Sequence, residues 1–267
     1  MKRIISASRR TDLVGHYPDL LADRIGEIGA ESIHTLVIWT KDPRNLLQHR
    51  RLRATLGAVG QIYLHWTITG LGGTFLEPRI RPPGLQAPML TEVINLVGSP
   101  KRMAWRYDPL ITASRNGETA GNVSIECFRP LAQAFAAQGV ARVHTSFVCL
   151  YAKVRRRAAR ERVEIVEYPP EERDAFLRRL REEAARFGLE VIACCEPGQP
   201  RGACVNGALL ASLHSAGEPC STRRAGDQRL LCGCTESLDI GQYLRCPSGC
   251  LYCYGSPACN AGDFSGV

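Results

Sequence analysis

The chain has 267 residues, 45% of them hydrophobic and 22% charged, which is enough apolar content to bury a full core and excludes a disordered polymer. Lys and Arg (34) outnumber Asp and Glu (26), a formal charge of +8 that favours anionic partners, and no apolar run approaches the roughly 20 residues needed to cross a bilayer. Twelve cysteines follow a start, MKRIISASRR, that lacks an apolar export signal, so the expected setting is a reducing cytoplasm and the expected use of the thiols is metal or redox chemistry.

Short apolar segments rich in β-branched residues predict buried strands at 3–7, 35–40, 61–67, 102–106, 142–148 and 190–193. Helical spacing lies between them: Leu20, Leu21, Ile25 and Ile28 after Pro18; Leu90, Val93, Ile94 and Val97 after Pro88; then Phe128, Leu131 and Phe135. The clearest helix is 171–187, with Phe176, Leu177, Leu180 and Ala184 on one stripe. Pro169, Pro170, Glu171 and Glu172 suit its start, and Gly188 its end. Strands alternating with helices predict an α/β fold, a βα barrel or partial barrel around a parallel sheet, with a doubly wound open sheet as the alternative.

Polar clusters follow the strands: SASRRTD (6–12), WTKDP (39–43), TITG (67–70), RYDP (106–109) and CCE (194–196). Ligands of such sheets bind at those ends. Arg10, Asp12, Lys41, Arg106 and Asp108 are therefore candidate catalytic residues, with internal ion pairs as the competing role. Arg and Lys there suit a carboxylate or phosphate, and Glu196 a cofactor amine or ribose.

The character changes near residue 198, where a segment rich in Gly, Ser and Pro carries eight of the twelve cysteines. The expected division is a barrel-like body over 1–197 and a cysteine-rich iron-sulfur segment over 198–267 packed on the barrel mouth, stabilised by a metal centre. Its sharpest feature is CPSGCLYC, which spaces Cys246, Cys250 and Cys253 so that three thiolates can take three corners of one cubane cluster. Cys195, Cys204, Cys232 and Cys234 are candidate ligands of a second centre, an iron-sulfur cluster or zinc. The alternative for these thiols, and the expectation for Cys127 and Cys149, is unligated packing. Cys259 would close the first cluster if it ligates. His16 after the first strand is a candidate for proton transfer, and Trp39, Trp66 and Trp105 are expected in the core.

C-x3-C-x-aromatic-C resembles the cluster signature of the radical S-adenosylmethionine superfamily, whose fold is a full or partial βα barrel. The resemblance implies a [4Fe-4S] cluster on Cys246, Cys250 and Cys253. Its fourth iron would be chelated by S-adenosylmethionine, which is then cleaved to a 5′-deoxyadenosyl radical. Tyr252, inside the motif, and Glu196 are the candidate cofactor contacts. Two features depart from the superfamily: the motif lies near the C-terminus instead of after the first strand, and no Gly-Gly-Glu follows it. Through SASRRTD, IWTKDP, RYDP, SLDIGQY and CPSGCLYCY the whole chain resembles the DUF1848 family of bacterial proteins, which joins a barrel-like body to a C-terminal cysteine cluster.

The resulting expectation is a radical S-adenosylmethionine-like iron-sulfur enzyme, fed by an electron donor such as flavodoxin or ferredoxin and acting on an anionic substrate. Two other readings stand beside it. One is a non-catalytic electron carrier or redox sensor. The other is a zinc-stabilised nucleic-acid-binding protein, which the basic stretch over 153–162 and a pI near 9.0 would suit.

Overall fold

In the computed structural model, which describes residues 2–226 and 228–257, the apolar β-branched segments form strands and the segments of helical spacing cross between them. In chain order the strands are β1 (Arg3–Ala7), β2 (Ile33–Thr40), β3 (Ile62–Thr67), β4 (Met103–Arg106), β5 (Thr112–Arg115), β6 (Glu118–Gly121), β7 (Arg142–Thr145), β8 (Glu164–Ile165), β9 (Glu190–Ala193), β10 (Leu238–Asp239), β11 (Arg245–Cys246) and β12 (Ser256–Pro257). Seven of them make one sheet in the order β10-β1-β2-β3-β4-β7-β9, with every neighbouring pair parallel. Strands β6, β5 and β8 form a small antiparallel sheet to one side.

Strands β1, β2, β3, β4, β7 and β9 run across the sheet in chain order, and β10, late in sequence, returns to the outer edge beside β1. Such an order would close a barrel if β9 met β10, but among the described residues these two do not pair and the sheet stays open there. The α/β class with a parallel sheet is as the sequence predicts, and a closed barrel is not formed.

Alternation along the strands gives the two faces different company. Leu36, Ile38, Leu64, Trp66, Met103 and Trp105 face the crossing helices in the main core, where Trp105 stacks on Phe128 and Phe135 at 5.0 Å each. Burying each such side chain contributes about 1.5–3 kcal/mol. The helix Pro170–Ala185 adds Phe176, Leu177, Leu180 and Ala184 to the same core. The opposite face carries Ile4, Val37, Tyr63 and Ala104, packed against Val205, Leu210, Cys220 and Cys234 of the cysteine-rich segment.

Buried polar groups tie that segment to the sheet. Gln61 donates to Leu210 O at 2.8 Å, the His34 Nε2 lies 2.9 Å from Glu218 O, and the His65 Nε2 2.8 Å from Cys204 O. The segment expected over the mouth thus also fills the inner face of the sheet. Gly241 allows the closest approach on the other side, since a Cβ there would stand 2.2 Å from Ser8 Cβ. Any side chain would push SLDIGQY away from SASRRTD.

Candidate metal centre

A cavity of about 320 Å³ opens at the carboxyl ends of the strands. Its wall takes Ser8, Arg9, Arg10 and Asp12 from beyond β1, Lys41 from beyond β2, Arg106 and Asp108 from β4 and its exit, and Ser146 from beyond β7. Two groups of cysteines line the same space: Cys246, Cys250 and Cys253 in one, and Cys194, Cys195, Cys204, Cys232 and Cys234 in the other.

The first group sits on a loop that starts at β11 and turns through Gly249, whose φ of 68° suits glycine. Neighbouring elements hold the loop's backbone. Thr11 donates its hydroxyl to Gln242 O at 2.8 Å and accepts Leu244 N–H at 3.0 Å. Tyr17 donates to Arg245 O at 2.5 Å, Arg79 to Pro247 O at 2.9 Å, and Leu251 N–H to Leu76 O at 3.0 Å. From the helix Ala152–Arg160, Arg157 donates to both Leu251 O and Cys253 O at 2.8 Å. Gly255 N–H reaches Cys253 Sγ at 3.2 Å, and the His16 Nε2 lies 2.7 Å from Ser248 Oγ. Burial raises the Cys246 thiol to about 11 and pushes Cys250 well above the ordinary range, with Lys41 opposing at Cys250. Each of these two thiols also feels the charge of Cys253. The donor set is two buried thiols and a half-buried one, with Gly255 N–H on Cys253 and the Ser248 hydroxyl and N–H on Cys246, and it fits an iron-sulfur cluster, whose thiolates accept such bonds.

The second group forms where the sheet fails to close. Cys194 and Cys195 leave β9, and Cys195 has a left-handed φ of 57°, a backbone state uncommon outside glycine. Cys232 and Cys234 approach from the chain before β10, with Gly233 N–H on Gly202 O at 3.0 Å and Thr235 N–H on Val205 O at 2.8 Å. Cys194 Sγ lies 3.3 Å from Cys204 Sγ, and both lie 3.8 Å from the His144 Nδ1. These three residues could hold a metal ion, because ligands each about 2.3 Å from one ion stand at most about 4.6 Å apart. Hydrogen bonds link Cys204 on to Cys234, Cys234 to Cys232, and Cys232 to Cys195.

Bonds from the Cys194 and Cys234 thiols, with the Arg106 charge beside them, hold Cys204 well below the ordinary thiol range. Arg106 Nη1 is 3.0 Å from its sulfur. The bond from Cys234 lowers Cys232 to about 6, while burial lifts Cys195 to about 11. Thiolate character, which metal binding needs, therefore concentrates on Cys204 and Cys232.

The charged candidates from the sequence all reach the cavity wall, and most already have partners. Asp12 accepts Gly15 N–H, Thr40 O–H and Lys41 N–H at 2.8–2.9 Å. Arg106 pairs with Asp108, which also accepts from Ser146. Lys41 pairs with Glu77 at 2.7 Å, and Arg10 donates to Gly241 O at 2.7 Å. The two expected cofactor contacts lie elsewhere. Glu196 accepts Phe147 N–H at 2.7 Å and pairs with Arg173 at 2.5 Å, and Tyr252 points its hydroxyl into the fold against Glu77; neither lines the cavity.

Cys259 lies outside the described residues. Cys127 is exposed on the helix Ile125–Ala137, not packed as expected, and Trp39, expected in the core, packs against the inner-face cluster and also lines the cavity. Of His144, Cys194 and Cys204, Cys204 was an expected ligand and Cys194 stood beside the expected Cys195 in CCE, while no spacing pointed to His144; strand alternation, which turns His144 and Cys194 to the inner face, was the available signal. The basic stretch is partly engaged, Arg155 with Glu167, Arg160 with Glu161 and Arg157 with the cysteine loop. No helix among the described residues is long and apolar enough to cross a membrane.

A family model described as a domain of unknown function, DUF1848, matches residues 26–255, a span that takes in both cysteine groups. No curated protein and no solved structure matches the chain.

Proposed function

The chain belongs to the DUF1848 family, whose description assigns no activity, and from its two cysteine groups we propose an iron-sulfur enzyme of the radical S-adenosylmethionine type. Cys246, Cys250 and Cys253 would hold a [4Fe-4S] cluster, leaving one iron for the amino and carboxylate groups of S-adenosylmethionine. Bound there, the cluster and cofactor would supply reductive cleavage chemistry that no side chain can perform. The chain's own part is to hold the loop through Arg157, Thr11 and Tyr17, to surround Cys250 with low-dielectric packing, and to set Lys41 against its charge.

One observation carries the reading: both cysteine groups line a single cavity at the carboxyl ends of a parallel sheet. The late position of the motif in the sequence does not count against it. The motif follows β10, and β10 is the edge strand next to β1, so in space the cysteine loop still follows the first strand of the sheet.

Cys195, Cys204, Cys232 and Cys234 would hold a second iron-sulfur cluster that passes electrons from a flavodoxin or ferredoxin. Zinc is the second reading for this centre, favoured by the Cys194, Cys204 and His144 triad, since imidazole with thiolate is a common zinc ligand set.

Anaerobic protein reconstituted with iron and sulfide, reduced with dithionite and given S-adenosylmethionine should release 5′-deoxyadenosine. Cys250→Ala should abolish that release and lose one cluster's iron. Full iron in Cys250→Ala, or an intact reduced cluster that leaves the cofactor uncleaved, would sink the proposal. In the first alternative, a carrier, Cys259→Ala would cost the cluster; in the enzyme it should not.

A further inference from the structure

Among the charged side chains that line the cavity, all but one have their buried polar atoms satisfied within the described residues. Asp12 and Asp108 are fully engaged as acceptors, Arg106 is held by Asp108 and Cys204, Lys41 by Glu77, and Arg229 reaches Cys149 Sγ at 3.4 Å. The exception is Arg9, a half-buried residue whose Nη2 is itself buried and has no hydrogen-bond partner among the described residues. A buried charged donor left unmatched is costly, so a site that keeps one is built for an acceptor that arrives from outside.

The guanidinium is also held in place. It lies over the Trp39 ring at 5.5 Å, and Trp39 in turn stacks on His65 at 5.1 Å with 12° between the planes. The His65 Nε2 is anchored on Cys204 O. A cation–π contact with a ring that is itself stacked therefore steadies the arginine, and its charge acts on Cys232 and Cys234 of the second cysteine group. Arg is suited to planar, two-point recognition of carboxylate and phosphate.

We propose that Arg9, set over the Trp39 ring, anchors an oxyanion of the substrate, a carboxylate or a phosphate, inside the cavity that both cysteine groups line. The inference rests on the proposed function for the reaction and adds the class of molecule that undergoes it.

Anaerobic iron-loaded protein would be titrated by calorimetry with inorganic phosphate and, separately, with acetate, and iron and sulfide would be assayed on the same sample. Saturable binding of at least one anion is expected, weakened roughly ten- to a hundredfold in Arg9→Met, the cost of one charge-assisted hydrogen-bond pair, and less in Arg9→Lys. The tighter anion tells which group the substrate carries. Should Arg9→Met fail to accumulate, Arg9→Lys reads the same loss at smaller size. Unchanged anion affinity in the variant, or no saturable binding by the native protein, overturns the proposal. So does a shifted cluster spectrum in Arg9→Met with anion binding intact, which would make Arg9 a partner of the metal centre. Missing iron in the native sample would instead count against the cluster reading and leave the anion result legible.

Discussion

At the scale of single residues, Asp12 separates a structural role from a chemical one. Both its oxygens are acceptors already, Oδ1 from Gly15 N–H, and Oδ2 from Thr40 O–H and Lys41 N–H. An asparagine has the same shape but must aim an NH2 at one of those donors, so Asp12→Asn is not conservative here. Asp12→Asn should lower stability by about 1–3 kcal/mol in chemical denaturation of the metal-loaded protein. Stability equal to the native protein's, together with lost activity, would return Asp12 to the catalytic set. The sequence made Asp12, Arg106 and Asp108 visible as polar residues at strand ends, because strand pattern and chain position are local. The Arg106–Asp108 pair, two residues apart, was open to it as well, but their remaining bonds were not, because those partners come from other elements: Ser146 to Asp108 across 38 residues, Cys204 to Arg106 across 98.

Among the elements, the cysteine loop depends most on a neighbour. Arg157 is the single side chain that ties Leu251 O and Cys253 O to the helix Ala152–Arg160, both at 2.8 Å among the described residues. Its replacement by methionine keeps much of the apolar stem and removes both bonds, which should loosen the loop without unfolding the sheet. Iron release to a chelator from Arg157→Met is expected to be roughly tenfold faster, with far-ultraviolet circular dichroism unchanged. An unaltered release rate would mean that the loop is held by its other bonds alone. The three cysteines of the motif were legible because their spacing is short and self-contained. The second group was legible only as a list of thiols. What assembles it is the meeting of the β9 exit with the chain before β10, and neither end announces the other. The basic stretch shows the converse error of local reading, since Arg157, counted there as part of a charged run, is a tie to the site.

For the whole molecule, the open edge between β9 and β10 bears on how the fold would respond to loss of a metal bound by the proposed centres. Strands β1, β2, β3, β4, β7 and β9 were legible from β-branched content and their parallel order from the intervening helices, whereas β10 and the small sheet of β5, β6 and β8 were not. Nor was the open edge, since no local pattern tells that Val205, Leu210 and Cys234 pack on the inner face against Ile4, Val37 and Tyr63. The two faces thus rest on different supports. The outer face packs on helices through a large apolar core, while the inner face is covered by a segment poor in apolar residues whose cysteines converge at the gap. A centre bound by those thiols contributes folding free energy to the segment and little to the helical layer. Removing the metal anaerobically with a chelator should therefore raise amide exchange about tenfold or more across 201–257, while β3 and β4 with the helix Leu90–Val97 keep their protection. Apolar dye binding should rise in parallel as Ile4, Val37 and Tyr63 become accessible. Uniform exchange over the whole chain would instead mean that the segment and the sheet unfold as one unit. Unchanged exchange at 201–257 would mean that packing alone holds the inner face, and that the second cysteine group binds no structural metal.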